Sequence, residues 1–147
     1  MTTGSKDEVT GRRLVFVYGS LKEGHGNHRL LQTSPLVHHA TLPYGHRMFS
    51  LGGFPGVVEA DLSSGYPIHG EVYAVTEETL YESLDYLEGY DKETDTGMYL
   101  RRWVLVELDN GELEAVETYI YNSQTAEDME ADDYPEIVDG SWLHHVP

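Results

Sequence analysis

The strongest constraint on the fold is a hairpin signal in the second half of the chain. Two long segments rich in β-branched and aromatic residues, Tyr99–Leu108 and Leu113–Tyr121, flank the tripeptide Asp109-Asn110-Gly111. Asp and Asn followed by Gly favour the tight turns that join antiparallel strands, because these residues tolerate a positive φ. The sequence therefore predicts two long antiparallel strands that pair with each other.

The first of these strands is apolar on both faces. Val104 and Val106 alternate with Trp103 and Leu105, and successive side chains of a strand point to opposite sides of the sheet. We therefore expect the strand to be covered on both sides, as in a small barrel or a sheet packed against helices.

Further strands and one helix complete the predicted fold. The helix spans Thr76–Glu88, with Thr76 as N-cap, apolar residues at Leu80, Leu84 and Leu87, and Gly89 just beyond its end. The other predicted strands are Leu14–Tyr18, Leu36–Leu42, His46–Leu51, Val57–Ala60 and Ile68–Val75. Strands outnumber helices, so we expect an α+β fold: a small, mixed, mostly antiparallel β-barrel flanked by helices.

The length of 147 residues fits one domain. We expect a flexible leader at 1–11 and a single domain at 12–147. Within that domain, the run of acids at about 123–134 is typical of a solvated linker, followed by a C-terminal tail.

The charge is strongly negative and unevenly placed. Nine Lys and Arg face 26 Asp and Glu, a net charge of −17, and 12 of the acids follow residue 102, where no Lys or Arg occurs. Nucleic acids and anionic membranes bind through clustered cations, so both are poor partners for this chain. The polar N-terminus has no apolar run that could serve as a signal peptide, which favours a cytoplasmic protein. Lys22, Arg29 and Arg47 are the cations that could offset the negative field near an anionic ligand.

A glycine-rich loop follows the first predicted strand, over Gly19–Gly26. Gly19 and Gly24 have the spacing of a phosphate-binding loop, but His25 and Gly26 stand where that motif requires Lys and Ser or Thr. A nucleoside-triphosphate site is therefore rejected. Two interpretations remain open: an ordinary turn, or a loop whose backbone N–H groups bind an anion.

Glu88 occupies the last turn of the predicted helix, next to the apolar stripe. A carboxylate there meets the negative end of the helix dipole and loses solvent, and both effects raise its pKa toward the range of a general base. The alternative is one more surface glutamate in an acidic protein.

Histidine and cysteine patterns predict no metal site. The chain has no Cys, and the adjacent pairs His38-His39 and His144-His145 point to opposite sides of a strand, so neither pair can chelate one metal ion.

Six segments, taken in order, resemble the γ-glutamylcyclotransferase-like family over roughly 14–145. Val17-Tyr18-Gly19-Ser20-Leu21-Lys22 resembles the YGSL opening of the family, and Leu84-Asp85 with Glu88-Gly89 resembles its LDxxEG helix end. The remaining four are Phe54–Val58, Gly70–Tyr73, Met98–Arg102 and Thr118–Tyr121; Asp139–Trp142 further resembles the tail of short bacterial and phage members.

The resemblance implies an enzyme, of transferase or lyase type, that cleaves γ-glutamyl amides by internal cyclisation and releases 5-oxoproline. It implies Glu88 as the catalytic acid and base, and a substrate-binding set of Tyr18, Gly19, Ser20, Leu21 and Tyr99. It requires no metal or cofactor, and its partner is a small γ-glutamyl amine or peptide. The alternative hypothesis is a non-catalytic module that keeps the same pocket for a small carboxylate ligand or serves as an interaction protein.

Overall fold

The computed structural model describes residues 11–19, 28–43, 45–122 and 125–142. Its main element is a closed five-stranded β-barrel with the strand order β1-β5-β2-β8-β9. The barrel strands are β1, Arg13–Val17; β2, Leu36–Leu42; β5, Ile68–Val75; β8, Tyr99–Leu108; and β9, Leu113–Tyr121. All neighbours are antiparallel except β1 and β9, whose parallel pairing closes the barrel. The predicted α+β fold with a mostly antiparallel barrel is confirmed.

Shorter elements lie outside the barrel. β3, His46–Ser50, pairs with β4, Pro55–Glu59, and the two-residue strands β6, Tyr90–Asp91, and β7, Thr96–Gly97, pair with each other. A single 3-10 turn, His28–Leu31, lies between β1 and β2. The sequence predicted strands near the positions of β3 and β4 but not β6 and β7, because two-residue strands leave no periodic pattern.

Helix α1 has two parts, a π-helical segment, Thr79–Leu84, and an α-helical turn, Asp85–Glu88. At its start the Thr79 amide donates to the Thr76 hydroxyl over 3.1 Å, as expected for a cap at Thr76. At its end Gly89 adopts a left-handed conformation with φ 69°, which favours glycine. The predicted helix and both of its ends are thus present, although its π-helical part was not predicted.

The apolar stripe of α1 differs from the prediction at its last residue. Leu80 and Leu84 are buried, but Leu87 is 36% exposed and Asp85 is buried instead. A π-helical turn takes up an extra residue and so changes the direction in which the following side chains point. Asp85 and Glu88, three residues apart, consequently share one face of the last turn.

The two sides of β8 are also unlike the prediction. Val106 is buried inside the barrel, whereas Trp103 and Leu105 are 64% and 52% exposed. The expectation that β8 is covered on both sides is therefore wrong for this part of the strand. Strand pairing alone does not decide whether a further layer covers the outer face.

The acidic segment predicted as a linker contains a short helix, α2, Ala126–Ala131. Thr125 caps it by accepting a hydrogen bond from the Asp128 amide. Ala126 and Met129 are buried against Phe49 and Val58, so the segment packs on the β3–β4 hairpin. Within the described residues, no helix has the length and apolar character needed to cross a membrane.

The core has two main clusters. The barrel interior holds Phe16, Leu42, Val72, Val106, Val116 and Trp142, among others. The second cluster lies between the barrel and α1 and contains Val15, Val17, Leu31, Tyr73, Leu80, Leu84, Tyr99 and Tyr119. Because α1 is packed through this second cluster, its last turn is held against the barrel wall, where the candidate site lies.

Candidate active site

A cavity of about 330 Å³ opens beside the last turn of α1. The β1–β2 connection contributes Gly19, the β3–β4 turn contributes Gly53, Phe54 and Pro55, the end of α1 contributes Leu87 and Glu88, and the start of β8 contributes Met98 and Tyr99. Four segments that are distant in the sequence thus meet at one concave surface.

The structure brings together three of the residues predicted for the site. Gly19, Glu88 and Tyr99 all line the cavity. Tyr18 is buried next to it and donates its hydroxyl hydrogen to the Tyr119 carbonyl over 2.5 Å. Ser20 and Leu21, the other two predicted residues, lie outside the described residues, as does Lys22.

Gly19 is fitted closely against the β3–β4 turn. A Cβ atom at Gly19 would lie 3.1 Å from Cγ of Pro55, which is tighter than nine in ten contacts of real Cβ atoms. A side chain at residue 19 would therefore require Pro55 to move by a few tenths of an ångström.

Glu88 is the only charged side chain among the described residues that line the cavity. Burial of its carboxyl group, reinforced by the negative charge of Asp85, raises its pKa from 4.5 to about 7. No described residue makes a hydrogen bond to this carboxyl group, so its oxygen atoms are free to interact with a ligand. The sequence had predicted desolvation as one cause, together with the helix dipole; the contribution of Asp85 was not predicted.

Tyr99 has a fixed orientation. Its hydroxyl donates to the Pro55 carbonyl over 2.5 Å, and its ring meets Tyr121 edge-on with 5.5 Å between the ring centres. Burial, together with the charge of Glu88, raises the pKa of Tyr99 well above its usual value, so the hydroxyl stays protonated. Because the hydroxyl hydrogen is used by Pro55, the oxygen faces any ligand as a hydrogen-bond acceptor.

Asp85 connects the site to a buried ionic network that the sequence did not predict. Arg101 donates to both Asp85 oxygens over 2.9 and 3.2 Å, and the Tyr119 hydroxyl donates to Asp85 over 2.6 Å. Arg101 also donates to Glu117, which is 1% exposed and accepts a hydrogen bond from Arg13 as well. Buried charges require such partners, and no sequence pattern identifies Glu117 because it alternates with apolar residues as a surface glutamate would.

Two of the three cations proposed from the sequence, Arg29 and Arg47, do not line the cavity, and the third, Lys22, lies outside the described residues. Arg47 binds Glu130 and Glu136, each over 2.8 Å, and the exposed Arg29 is not part of the cavity wall. Among the described residues, no group of three His, Asp or Glu side chains has a geometry that could hold a metal ion.

Residues 15–144 match the family model described as "Gamma-glutamyl cyclotransferase, AIG2-like". The match covers most of the chain, so the protein belongs to the γ-glutamyl cyclotransferase, AIG2-like family, and the resemblance seen in the sequence motifs is confirmed.

Similar proteins agree with this assignment. A Vibrio cholerae protein provisionally named a γ-glutamylcyclotransferase is 37% identical over 99 residues, which are 65% of this chain and 82% of that protein. The γ-L-glutamyl-butirosin B γ-glutamyl cyclotransferase of Niallia circulans is 31% identical over 131 residues, 89% of this chain and 76% of that one. The crystal structure of an AIG2-like protein from Mus musculus has the same fold, with a TM-score of 0.71 and 21% identity over 92% of this chain and 93% of that one.

Proposed function

We propose that the protein is a γ-glutamyl cyclotransferase in which Glu88 is the general acid and base. The observation that carries the proposal is a carboxyl group with a pKa of about 7 in the wall of a cavity that also contains Gly19 and Tyr99. The family to which the chain belongs supports an enzyme whose substrate is unassigned. The residues of the cavity support the chemistry below.

In the proposed reaction a γ-glutamyl amide closes on itself. The α-nitrogen of the substrate attacks its own γ-carbonyl carbon, a new C–N bond closes a five-membered ring, and the C–N bond of the original amide breaks. The products are 5-oxoproline and the released amine. Two protons pass from the α-nitrogen, which starts as an ammonium group, to the leaving nitrogen, so atoms and charge balance without water, oxidant or a second substrate.

Glu88 has the properties that this proton transfer requires. The α-ammonium group must lose a proton before its nitrogen can attack, and an α-amino group has a pKa of roughly 8. A carboxylate with a pKa of about 7 can accept that proton and return it to the leaving nitrogen with little uphill cost. A carboxylate with an ordinary pKa would be a much weaker base. Because the nucleophile and the carbonyl belong to one molecule, proximity supplies much of the remaining acceleration.

Tyr99 and Gly19 are assigned to substrate binding. The Tyr99 oxygen, whose hydrogen is given to Pro55, can accept a hydrogen bond from the α-ammonium group and hold it near Glu88. The backbone at Gly19, which lines the cavity, is suited to an anionic part of the substrate, such as the α-carboxylate or the oxyanion that forms during attack. Ser20 and Leu21 are proposed to extend the same loop contact, and buried Tyr18 to support it.

The test is release of 5-oxoproline from a panel of γ-glutamyl amides and peptides by wild type, Glu88→Gln and Glu82→Gln. Glu82 lies on the same helix but is exposed, which makes it a matched control. We expect Glu88→Gln to lose at least about 100-fold in kcat/KM, because general acid–base catalysis contributes that much or more, and Glu82→Gln to resemble wild type. The rate of wild type should rise with pH and level off above about 7.

Two results would contradict the proposal. Equal rates of 5-oxoproline release from wild type and Glu88→Gln would remove Glu88 from the mechanism. Thermal stabilisation by γ-glutamyl compounds without any 5-oxoproline would instead favour the binding module, provided that circular dichroism shows all three proteins folded.

A further inference from the structure

Helix α1 changes its hydrogen-bonding pattern just before Glu88. The Leu80 amide donates to the Thr76 carbonyl, four residues back, as in an α-helix, whereas the Asp85 amide donates to the Leu80 carbonyl, five residues back. The π-helical segment therefore holds one residue more than an α-helical turn would. Single π-helical turns are rare and occur frequently at functional sites, so the contacts of this turn should show what it is for.

The extra residue decides which side chains of the last turn point inward. Each residue of an α-helix is rotated by about 100° from the one before it. Without the π-helical turn, Leu87 would take the direction that Glu88 has and would continue the apolar stripe of Leu80 and Leu84. In the structure Leu87 is 36% exposed and Glu88 lines the cavity. The helix thus gives up part of the burial of a leucine and points a carboxyl group at the cavity.

The contacts of Asp85 compensate for that loss. Its side chain is 4% exposed and accepts hydrogen bonds from Arg101 over 2.9 and 3.2 Å and from the Tyr119 hydroxyl over 2.6 Å. Arg101 also donates to Glu117 on β9, which fixes the guanidinium group at the barrel wall. A rotation of α1 by one residue would carry Asp85 away from Arg101, and breaking a buried ion pair is strongly unfavourable.

We propose that Asp85, through its ion pair with Arg101 and its hydrogen bond from Tyr119, holds α1 in the π-helical register that points Glu88 into the cavity. Asp85 is thus a positioning residue, because it acts on the reaction only through the direction of Glu88. Its consequence for catalysis rests on the proposed cyclotransferase function, whereas its effect on the register of α1 does not.

A matching arrangement on the surface provides the control. Arg102 donates to both oxygens of Asp95 over 2.8 and 3.0 Å, and the Tyr90 hydroxyl donates to Asp95 over 2.7 Å. The Asp95 side chain is 54% exposed and lies in the β6–β7 turn rather than on α1. Asn tolerates the left-handed φ of 55° at this position. The two aspartates therefore have the same kinds of partner and differ in burial and in place.

The first measurement is the rate of 5-oxoproline release by Asp85→Asn and Asp95→Asn. Asn replaces one of the two acceptor oxygens by an amino group, so Asp85→Asn loses the paired contact with Arg101. We expect its kcat to fall at least about tenfold with a much smaller change in KM, since misplacement of a catalytic group by about 1 Å can cost roughly 100-fold. Asp95→Asn should keep the kcat of wild type. Tyr119→Phe removes one hydrogen bond, should lower kcat less, and serves as the test if Asp85→Asn does not fold.

Thiol labelling reports the direction of residue 87 without depending on catalysis. The chain has no Cys, so Leu87→Cys and Tyr86→Cys each introduce a single thiol. Loss of the π-helical turn would rotate residue 87 inward, so adding Asp85→Asn should slow the reaction of Leu87→Cys with a maleimide several-fold. Fraying of the helix would instead speed labelling at both positions. Tyr86, which is 85% exposed, reports such fraying.

A second substitution tests the competition between the two registers. Gln gains much less than Leu from burial, so Leu87→Gln weakens the α-helical register. Adding it to Asp85→Asn should therefore restore kcat several-fold relative to Asp85→Asn. Leu87→Gln alone gives the reference for the loss of Leu87 from the cavity wall.

The outcomes separate the register from the reaction. Unchanged labelling of Leu87→Cys when Asp85→Asn is added, or faster labelling at both positions, overturns the proposal even if kcat falls. An equal loss of kcat in Asp95→Asn, or no recovery with Leu87→Gln, also overturns it. If wild type releases no 5-oxoproline from any γ-glutamyl compound, the proposed function fails, and the labelling rates alone decide whether Asp85 sets the register of α1.

Discussion

At the residue scale, Glu88 is placed where ionisation is costly to the folded state. Burial and the neighbouring Asp85 charge favour the protonated form, which raises the pKa from 4.5 to about 7. A group whose pKa is higher in the folded than in the unfolded protein contributes less to stability as pH rises between those two values. The property that suits Glu88 for proton transfer therefore lowers the free energy of unfolding at neutral pH and above.

Replacing Glu88 by Gln should consequently stabilise the protein at pH 8 but not at pH 5. At pH 8 wild type carries the ionised side chain, at a cost of about 3 kcal/mol for a shift of this size. At pH 5 the side chain is mostly protonated, and the two proteins should unfold at similar urea concentrations. The measurement is urea unfolding at both pH values. An equal difference at pH 5 and pH 8, or the same pH dependence in Glu82→Gln, would contradict the assigned environment of Glu88.

Tyr99 allows a second prediction at this scale. Tyr99→Phe removes the oxygen assigned to the α-ammonium group and leaves the Pro55 carbonyl without its 2.5 Å hydrogen bond. We expect a loss of about 1–3 kcal/mol in the free energy of unfolding, and a several-fold increase in KM as the substrate loses one contact. Tyr121→Phe, which alters a tyrosine packed on the same ring but not part of the described cavity wall, is the control. An unchanged KM in Tyr99→Phe would remove Tyr99 from substrate binding.

Residue types and motifs identified Glu88, Gly19 and Tyr99, but not the residues that set their environment. Glu88 was predictable because it combines a position in the last helical turn with the glutamate of the LDxxEG motif. Asp85 and Glu117 were not, since each is one acid among many in the sequence, and their burial depends on Arg13 and Arg101, which come from other strands. Such long-range partners leave no local pattern.

At the element scale, long strands were predicted best. The bounds of β2, β5, β8 and β9 agree with the sequence prediction, because each combines β-branched residues with clear turn signals. The prediction of which α1 side chains face the core was less accurate. The π-helical turn that changes their direction depends on packing rather than on residue spacing. The acidic helix α2 was not predicted. Only two of its residues, Ala126 and Met129, are buried, and the acidic residues around them hide any apolar pattern.

The end of α1 is the element on which the site depends most directly. Gly89 adopts φ 69° and Gly111, in the β8–β9 turn, adopts φ 89°, so alanine is strained at both positions although neither Cβ would collide with a neighbour. We expect Gly89→Ala and Gly111→Ala each to lower the free energy of unfolding by about 1 kcal/mol. Only Gly89→Ala should lower kcat for γ-glutamyl substrates, because it disturbs the turn that carries Glu88. Urea unfolding and 5-oxoproline release measure the two effects, and a similar kcat loss in both variants would contradict this role of the turn.

At the scale of the whole molecule, several arginines form ion pairs with acids that are distant in the sequence. All nine Lys and Arg lie before residue 103, so 12 units of the net charge of −17 fall on the residues from 103 onward. In the fold, Arg13 and Arg101 meet Glu117 at the barrel wall, and Arg47 binds Glu130 and Glu136 near α2. These pairs connect other parts of the barrel and the β3–β4 hairpin to the acidic C-terminal third, of which the part at about 123–134 was predicted to be a solvated linker. Neither Arg47 nor Arg101 lines the cavity, and both are paired with acids instead.

The ion pairs do not remove the overall repulsion, because 26 acids face only nine Lys and Arg. Net charge of this size destabilises the compact state, and salt screens repulsion between exposed charges over distances beyond about 10 Å, while buried pairs are screened much less. We therefore expect the melting temperature to rise between 0.02 and 0.5 M NaCl, two concentrations chosen to span weak and strong screening.

The matched variant replaces four exposed glutamates, at 82, 107, 114 and 127, by Gln and changes the net charge from −17 to −13. Because less repulsion remains to be screened, this variant should melt at a higher temperature than wild type in low salt and respond less to NaCl. Scanning calorimetry at pH 8 in both salt concentrations measures both effects. A melting temperature that falls with added salt, or an equal salt response in the two proteins, would mean that the ion pairs around Glu117 and Arg47 govern the electrostatics of the fold more than its net charge does.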